Sequence, residues 1–380
     1  MNSFIEKIKS DYLILRNILR NTHKSVKFLF YSENKSYQKF SIDIIDVISK
    51  KYPNQILYVS SDREDKIDNI NVKNLYIGQG LLMKLFFLII KAENFFLTLT
   101  DLGNHSIKKT KNINKYIYYF HAAVSTFKNY TNTAFDNYDV ILCSGKFQIN
   151  EIRKREKKLN LPKKELIKTG YFYFDYLKEK ISLTKETNHI LIAPSWNYDL
   201  KNFINENHIK VIDTLLKNDN NVIFRPHPEH FKRSSKILNE IKIKFTQFHK
   251  FIFDESVENL NSMEKAKCLI TDASGIALEY LVLFKRPILY LSDKDKIHNK
   301  DFSDFKDIKS IDHIAKDEFG YKFYENDINE INSLIDNSIK DFQSKVHLLD
   351  DFTNNNFFNF GSTKKKFDLI IDNQIINNKN

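Results

Sequence analysis

Two short segments in the second half of the chain concentrate residues that can hold or move a phosphoryl group: VIFRPHPEH, from Val222 to His230, and LITDASGIALEY, from Leu269 to Tyr280. Each reads as a buried strand, a tight polar turn and the start of a helix. Arg225, His227, Asp272 and Ser274 therefore emerge at carboxyl ends of parallel strands, the edge where open α/β sheets bind ligands. An arginine, a histidine, a serine hydroxyl and free helix N-terminal amides supply N–H and O–H donors, and together they suit an anionic phosphate. Arginine is scarce here, with 8 against 51 lysines, and lysine cannot copy its bidentate grip. His121 closes the aromatic run YIYYFHA, and histidine is the side chain whose ordinary pKa suits a general base near neutral pH. No clustered His/Asp/Glu motif marks a metal site. The expectation is chemistry without metal or cofactor, positive protein groups standing in for the ion.

These residues need a scaffold, and the chain supplies one by alternation. Strand patterns fall at 25–31, 55–61, 74–78, 95–100, 116–122 and 138–144, with helical stretches at Tyr37 to Lys51 and Leu81 to Ala92. A second series follows at 189–196, 221–227, 251–256, 268–274 and 287–292, with helices at Asn202 to Lys217, Phe231 to Lys242, Val257 to Ala266 and Ile276 to Phe284. Apolar strands alternating with helices imply parallel sheets covered on both faces. The polar stretch Lys178 to Asn188 reads as a linker, giving an N-terminal domain over 1–180 and a C-terminal domain over 181–380, the latter closed by a helix at Thr363 to Ile376. Thr353 to Asn359 and the Asn-rich last residues read as loose.

Composition excludes several classes. The 380 residues, 42% hydrophobic, can bury a large core. Cys143 and Cys268 lie in apolar runs without metal-ligand spacing and read as reduced core residues of a cytoplasmic protein. Met1 to Ser25 carries charges throughout, unlike a signal peptide, and Leu81 to Leu99 is broken by Lys84, Lys91 and Glu93. The net charge of +11 reads as a solvated Lys-rich surface rather than a nucleic-acid footprint. Near the start, Phe4, Ile8, Tyr12, Leu15 and Leu19 recur at helical spacing beside Lys7, Lys9, Arg16, Arg20 and Lys24, and a basic run spans Ile152 to Lys164. That pattern suits a peripheral position at the inner face of an anionic membrane, or the packing of a surface helix on its own domain.

Five elements, in order over about 160 residues, carry a family resemblance. They are YFHAAVSTFK with His121, GYFYFD with Gly170, Tyr171 and Asp175, APSW (193–196), RPHP (225–228) and DASGIALEY (272–280). The chain resembles the CDP-glycerol glycerophosphotransferase family, the teichoic-acid primases and polymerases, whose counterparts read W-H-G-T-P-L-K, G-Y-P-x-x-D, A-P-T-W, R-x-H-P and D-Y-S-S-x-x-x-D-Y. It departs from them at Ala122, Ala123, Phe172, Gly275 and Glu279. The resemblance implies a GT-B-like α/β fold of two Rossmann-like domains facing across a cleft. It also implies transfer of glycerol phosphate, or another polyol phosphate, from a CDP-alcohol to a hydroxyl of a cell-surface glycan or lipid-linked acceptor. His121 and His227 would be catalytic, with the donor held by Arg225, Ser195, Asp272, Ser274, Gly275 and Glu279. A glycosyltransferase using a nucleotide sugar, and a non-catalytic basic binding protein, are the competing readings.

Overall fold

The computed structural model describes residues 2–104, 107–182, 187–196, 204–291, 296–305 and 307–376. The chain forms two compact units. The first holds the described parts of Met1–His121, Tyr130–Tyr176 and Phe357–Asn380; the second holds those of Ala122–Asn129 and Leu177–Asn356.

The first unit is built on seven strands: β1 (Val26–Ser32), β2 (Ile56–Ser60), β3 (Val72–Tyr76), β4 (Ala92–Leu97), β5 (Ile113–Tyr119), β6 (Val140–Cys143) and β7 (Glu165–Lys168). They are parallel and ordered β3-β2-β1-β4-β5-β6-β7. Strands β2 and β6 are buried along their whole length, as expected where helices cover both faces. The second unit has β8 (His189–Ile192), β9 (Asn221–Phe224), β10 (Phe251–Phe253), β11 (Ala266–Thr271), β12 (Ile288–Leu291) and β13 (Gly320–Phe323). These are also parallel, ordered β10-β9-β8-β11-β12-β13. In each sheet the strand order reverses direction once, between β1 and β4 and between β8 and β11. Such a switch point opens a crevice beyond the carboxyl ends of the strands.

The boundaries differ from those read in the sequence. The long helix Ile331–Asn356 belongs to the second unit, but the chain after it belongs to the first. Phe357 bridges to Gly145, and Phe367, Ile370, Ile371 and Ile375 are buried in the core beneath β1, β2 and β5. The physical reason lies in the GYFYFD element. Gly170 has φ +105, and a Cβ there would come within 2.5 Å of the Phe358 carbonyl oxygen. The Asp175 carboxylate accepts the Gly361 N–H at 3.0 Å, capping the approach to the Thr363–Ile370 helix. Thr353 to Asn359, expected to be loose, is instead helix to Asn356 followed by this bridge.

The Asn2–Thr22 helix rests on the Leu81–Ile89 helix and β3 through Ile14 and Ile18, which are buried. Of the apolar stripe read from the sequence, Tyr12 and Leu19 are 64% and 54% exposed, as is Leu13 beside them. The side chains of Phe4, Lys7 and Ile8 lie outside the described residues. In the basic run, Arg155 pairs with Asp136 and Arg153 with Glu156, so both arginines hold the domain together rather than face outward as a free cationic patch. Among the described residues no helix is long and apolar enough to cross a membrane.

Candidate active site

At the switch point of the second sheet, the loops after β8 and β11 are tied to each other. The strands end earlier than their apolar runs suggested, at Ile192 and Thr271, and so release Ala193–Trp196 and Asp272–Gly275 as loop. The Ser195 N–H donates to both Asp272 carboxylate oxygens, at 2.9 and 3.2 Å, and the Thr271 hydroxyl donates to the Ala193 carbonyl at 2.6 Å. Asp272 is buried, and desolvation pushes its carboxyl up to about 6 despite the bonds from Ser195. Behind this pair stands His230, fully buried, whose Nε2–H donates to the Ser195 carbonyl at 2.9 Å while the Ser234 hydroxyl bonds Nδ1 at 3.0 Å. Burial keeps this imidazole neutral, its pKa below the ordinary value.

His227 leaves the end of β9 as the N-cap of the Pro228–Arg233 helix, with Pro228 at the first helical position where its missing N–H costs nothing. Its Nδ1 accepts the Glu229 N–H at 3.2 Å, so the ring proton sits on Nε2, free to donate to a ligand. The ring is exposed at its edge, and desolvation by the surrounding protein and then the nearby Lys296 ammonium lower its pKa. The ring is thus a neutral donor at physiological pH.

Arg225 leaves the end of β9 beside His227. Its guanidinium pairs with Asp254 and donates to the Ser256 hydroxyl at 3.0 Å and to the Ser256 carbonyl at 2.8 Å. Those bonds anchor the loop after β10. Glu279 is also engaged: it is buried and accepts from the Asn259 amide at 3.2 Å. Ser274 and Gly275 do lead into the Ile276–Phe284 helix, but no side chain caps its start. A Cβ on Gly275 would make only ordinary contacts with Val124 and Ala122, near 4 Å.

In the first unit, His121 follows β5 at the carboxyl edge of its sheet. Its ring is enclosed by the edges and faces of Tyr37, Phe40 and Tyr130, with centroids 5.7, 6.1 and 6.1 Å away. Aromatic walls of this kind fix the orientation of the imidazole. A groove of about 880 Å³ in the same unit, lined by Asn94, Lys115, Val140 and Glu165, opens at the opposite, amino-end edge of the sheet.

Two residues of the second site escaped the sequence reading. His230 reads there as part of a short polar helix, and Lys296 as one lysine among many. Lys296 follows β12, the strand beside β11; its ammonium is desolvated, the Asp272 carboxylate favours its charge, and its field reaches His227 and His230. Among the described residues no group of three or more His, Cys, Asp or Glu could hold a metal ion.

The family model of the CDP-Glycerol:Poly(glycerophosphate) glycerophosphotransferases matches residues 13–311. Solved structures share the fold across nearly the whole chain. The wall teichoic acid polymerase TagF matches with TM-score 0.60 and 14% identity, over 91% of this chain and 88% of that one. A variant of TagF soaked with CDPG matches at 0.62 and 16%, over 98% and 94%. A putative UDP-N-acetylglucosamine 2-epimerase from Listeria monocytogenes matches at 0.60 and 12%, over 94% and 98%. A search of curated proteins finds no match. Two parallel sheets, each with a single switch point, are the GT-B arrangement of these enzymes. With the family model covering most of its length, the chain belongs to the CDP-glycerol:poly(glycerophosphate) glycerophosphotransferase family and is a transferase of glycerol phosphate from a CDP-activated donor.

Proposed function

We propose that the donor's diphosphate binds at the β8/β11 switch point and that His121 deprotonates the acceptor hydroxyl. The observation that carries the donor assignment is the Ser195–Asp272 tie. It fixes two strand-end loops across the one crevice of the sheet where a nucleotide is expected, next to the Nε2–H of His227. In the reaction the acceptor oxygen bonds to the β-phosphorus while the bond from that phosphorus to the bridging oxygen breaks. CMP leaves with the electron pair, and the acceptor's proton passes to the imidazole of His121. The neutral His227 donates a hydrogen bond to the diphosphate, with backbone N–H groups of the Ser274–Gly275 turn beside it. Asp272 holds Ser195, while Arg225 and Glu279 support the loops around the donor.

The acceptor is a hydroxyl of a glycan or lipid-linked molecule at a membrane surface. Support comes from Tyr12, Leu13 and Leu19, which are exposed on the outer face of the first helix beside Lys9, Arg16 and Arg20. Apolar side chains bordered by cations suit an anionic bilayer.

Separate substitutions test the two histidines. His121→Ala is expected to lower turnover by about 10²–10⁴-fold with donor affinity nearly intact, whereas His227→Ala lowers both turnover and CDP-glycerol affinity. Turnover near that of the wild type in His121→Ala would remove this residue from the chemistry.

A further inference from the structure

Resting on the donor reading above, we infer that Lys296 is a phosphate-binding residue of this site and supplies the positive charge that Arg225 does not. The sheet order brings four strand-end loops together along one edge: those after β9, β8, β11 and β12, carrying His227, Ser195, Asp272 and Lys296 in turn. A diphosphate bound there needs a cation. The Arg225 guanidinium is taken by Asp254 and the Ser256 carbonyl, and His227 and His230 are neutral. Lys296 forms no hydrogen bond or ion pair with any described residue, although desolvation disfavours its charge. A desolvated ammonium gains from an anion that comes to pair with it.

The loop that carries Lys296 is held in place. The His298 N–H donates to the Lys128 carbonyl at 2.8 Å, the Lys128 ammonium is buried against Asp312 at 2.9 Å, and Phe127 stacks on Phe305 with ring centroids 4.1 Å apart. Segment Ala122–Asn129, which contributes Lys128 and Phe127, is also the one that Gly275 faces. The lysine therefore stands two residues before a backbone anchored on Lys128, in the same segment whose Ala122 and Val124 lie near Gly275. Fixed placement lowers the entropic cost of ordering a long side chain around a ligand.

The test is calorimetric titration of the full chain with CDP-glycerol, cytidine and inorganic pyrophosphate, in the wild type, Lys296→Met and Lys296→Arg, with thermal unfolding as a check on folding. Loss of one charge-assisted contact predicts roughly 10- to 100-fold weaker binding of CDP-glycerol and pyrophosphate in Lys296→Met. Partial recovery is expected in Lys296→Arg, and cytidine binding should not change. A merely structural lysine would weaken all three ligands together or lower the unfolding temperature of both variants. Binding of CDP-glycerol and pyrophosphate within twofold of the wild type in Lys296→Met would overturn the assignment. Should the wild type bind pyrophosphate in a Lys296-dependent way but not CDP-glycerol, the donor reading fails and the lysine's role stands. Binding of neither ligand to the wild type overturns both.

Discussion

Arg225 shows how a residue's type and its contacts carry different information. Its rarity and its place in RPHP pointed to a phosphate grip, yet Asp254 and the Ser256 carbonyl hold its guanidinium. The converse is Lys296, invisible among 51 lysines because nothing in its neighbours' types distinguishes it. What a sequence conveys is the donor set a residue carries; which partner takes those donors depends on contacts between distant segments. Three buried groups of the second unit titrate within a measurable range. Burial and the proximity of His230 hold His208 down to about 4, from the ordinary 6.5, and His230 is also lowered. Between pH 6.5 and about 4 the unfolded chain binds more protons at His208, so its neutral ring stabilises the fold fully above 6.5 and loses that contribution on acidification, about 3 kcal/mol, and His230 acts in the same direction. Asp272 runs the other way: with its pKa raised from 3.8 to about 6, it favours the fold increasingly as pH falls through 6. Denaturant unfolding across pH 4 to 7 should show a flatter decline in His208→Gln and a steeper decline in Asp272→Asn than in the wild type. A pH dependence unchanged in both variants would mean that these side chains are solvated.

At the scale of elements, the interior strands were legible because they are buried on both faces and read as continuous apolar runs. Strands β7 and β13 were not. They lie at sheet edges, are short and half exposed, and carry lysines, so no apolar run announces them. The path of Ala122–Asn129 was equally hidden, because HAAVSTFK has no helical or strand periodicity and its attachment is a tertiary contact. Lys128 is only 3% exposed in its side chain and Asp312 25%. Removing the carboxylate takes a charged partner from a buried cation, whereas replacing the lysine by an apolar side chain of similar length removes the buried charge itself. Asp312→Ala should therefore destabilise the protein by about 3 kcal/mol and Lys128→Met by clearly less. Equal losses in thermal unfolding would indicate that the pair acts through packing rather than charge.

At the scale of the whole molecule, each unit is built on one parallel sheet with a single switch point, and the chain crosses between the units more often than a single linker implies. The GYFYFD element explains one crossing: Gly170 and Asp175 receive the returning C-terminal segment. The first helix cannot be deleted as a test of membrane contact, because Ile14 and Ile18 belong to the core. A triple substitution of Tyr12, Leu13 and Leu19 by serine keeps those contacts. It should abolish flotation with vesicles rich in anionic lipid at low salt while leaving thermal unfolding intact; flotation equal to that of the wild type would place the contact elsewhere. Peptide-resolved hydrogen exchange of the full chain, with and without CDP-glycerol, tests the central claim most directly. Protection is expected in the peptides covering Ala193–Trp196, Arg225–His230, Asp272–Glu279 and Lys296–Asn299, the four loops at one edge of the second sheet. Protection absent from all four, with the ligand demonstrably bound, would contradict the placement of the donor at the β8/β11 switch point.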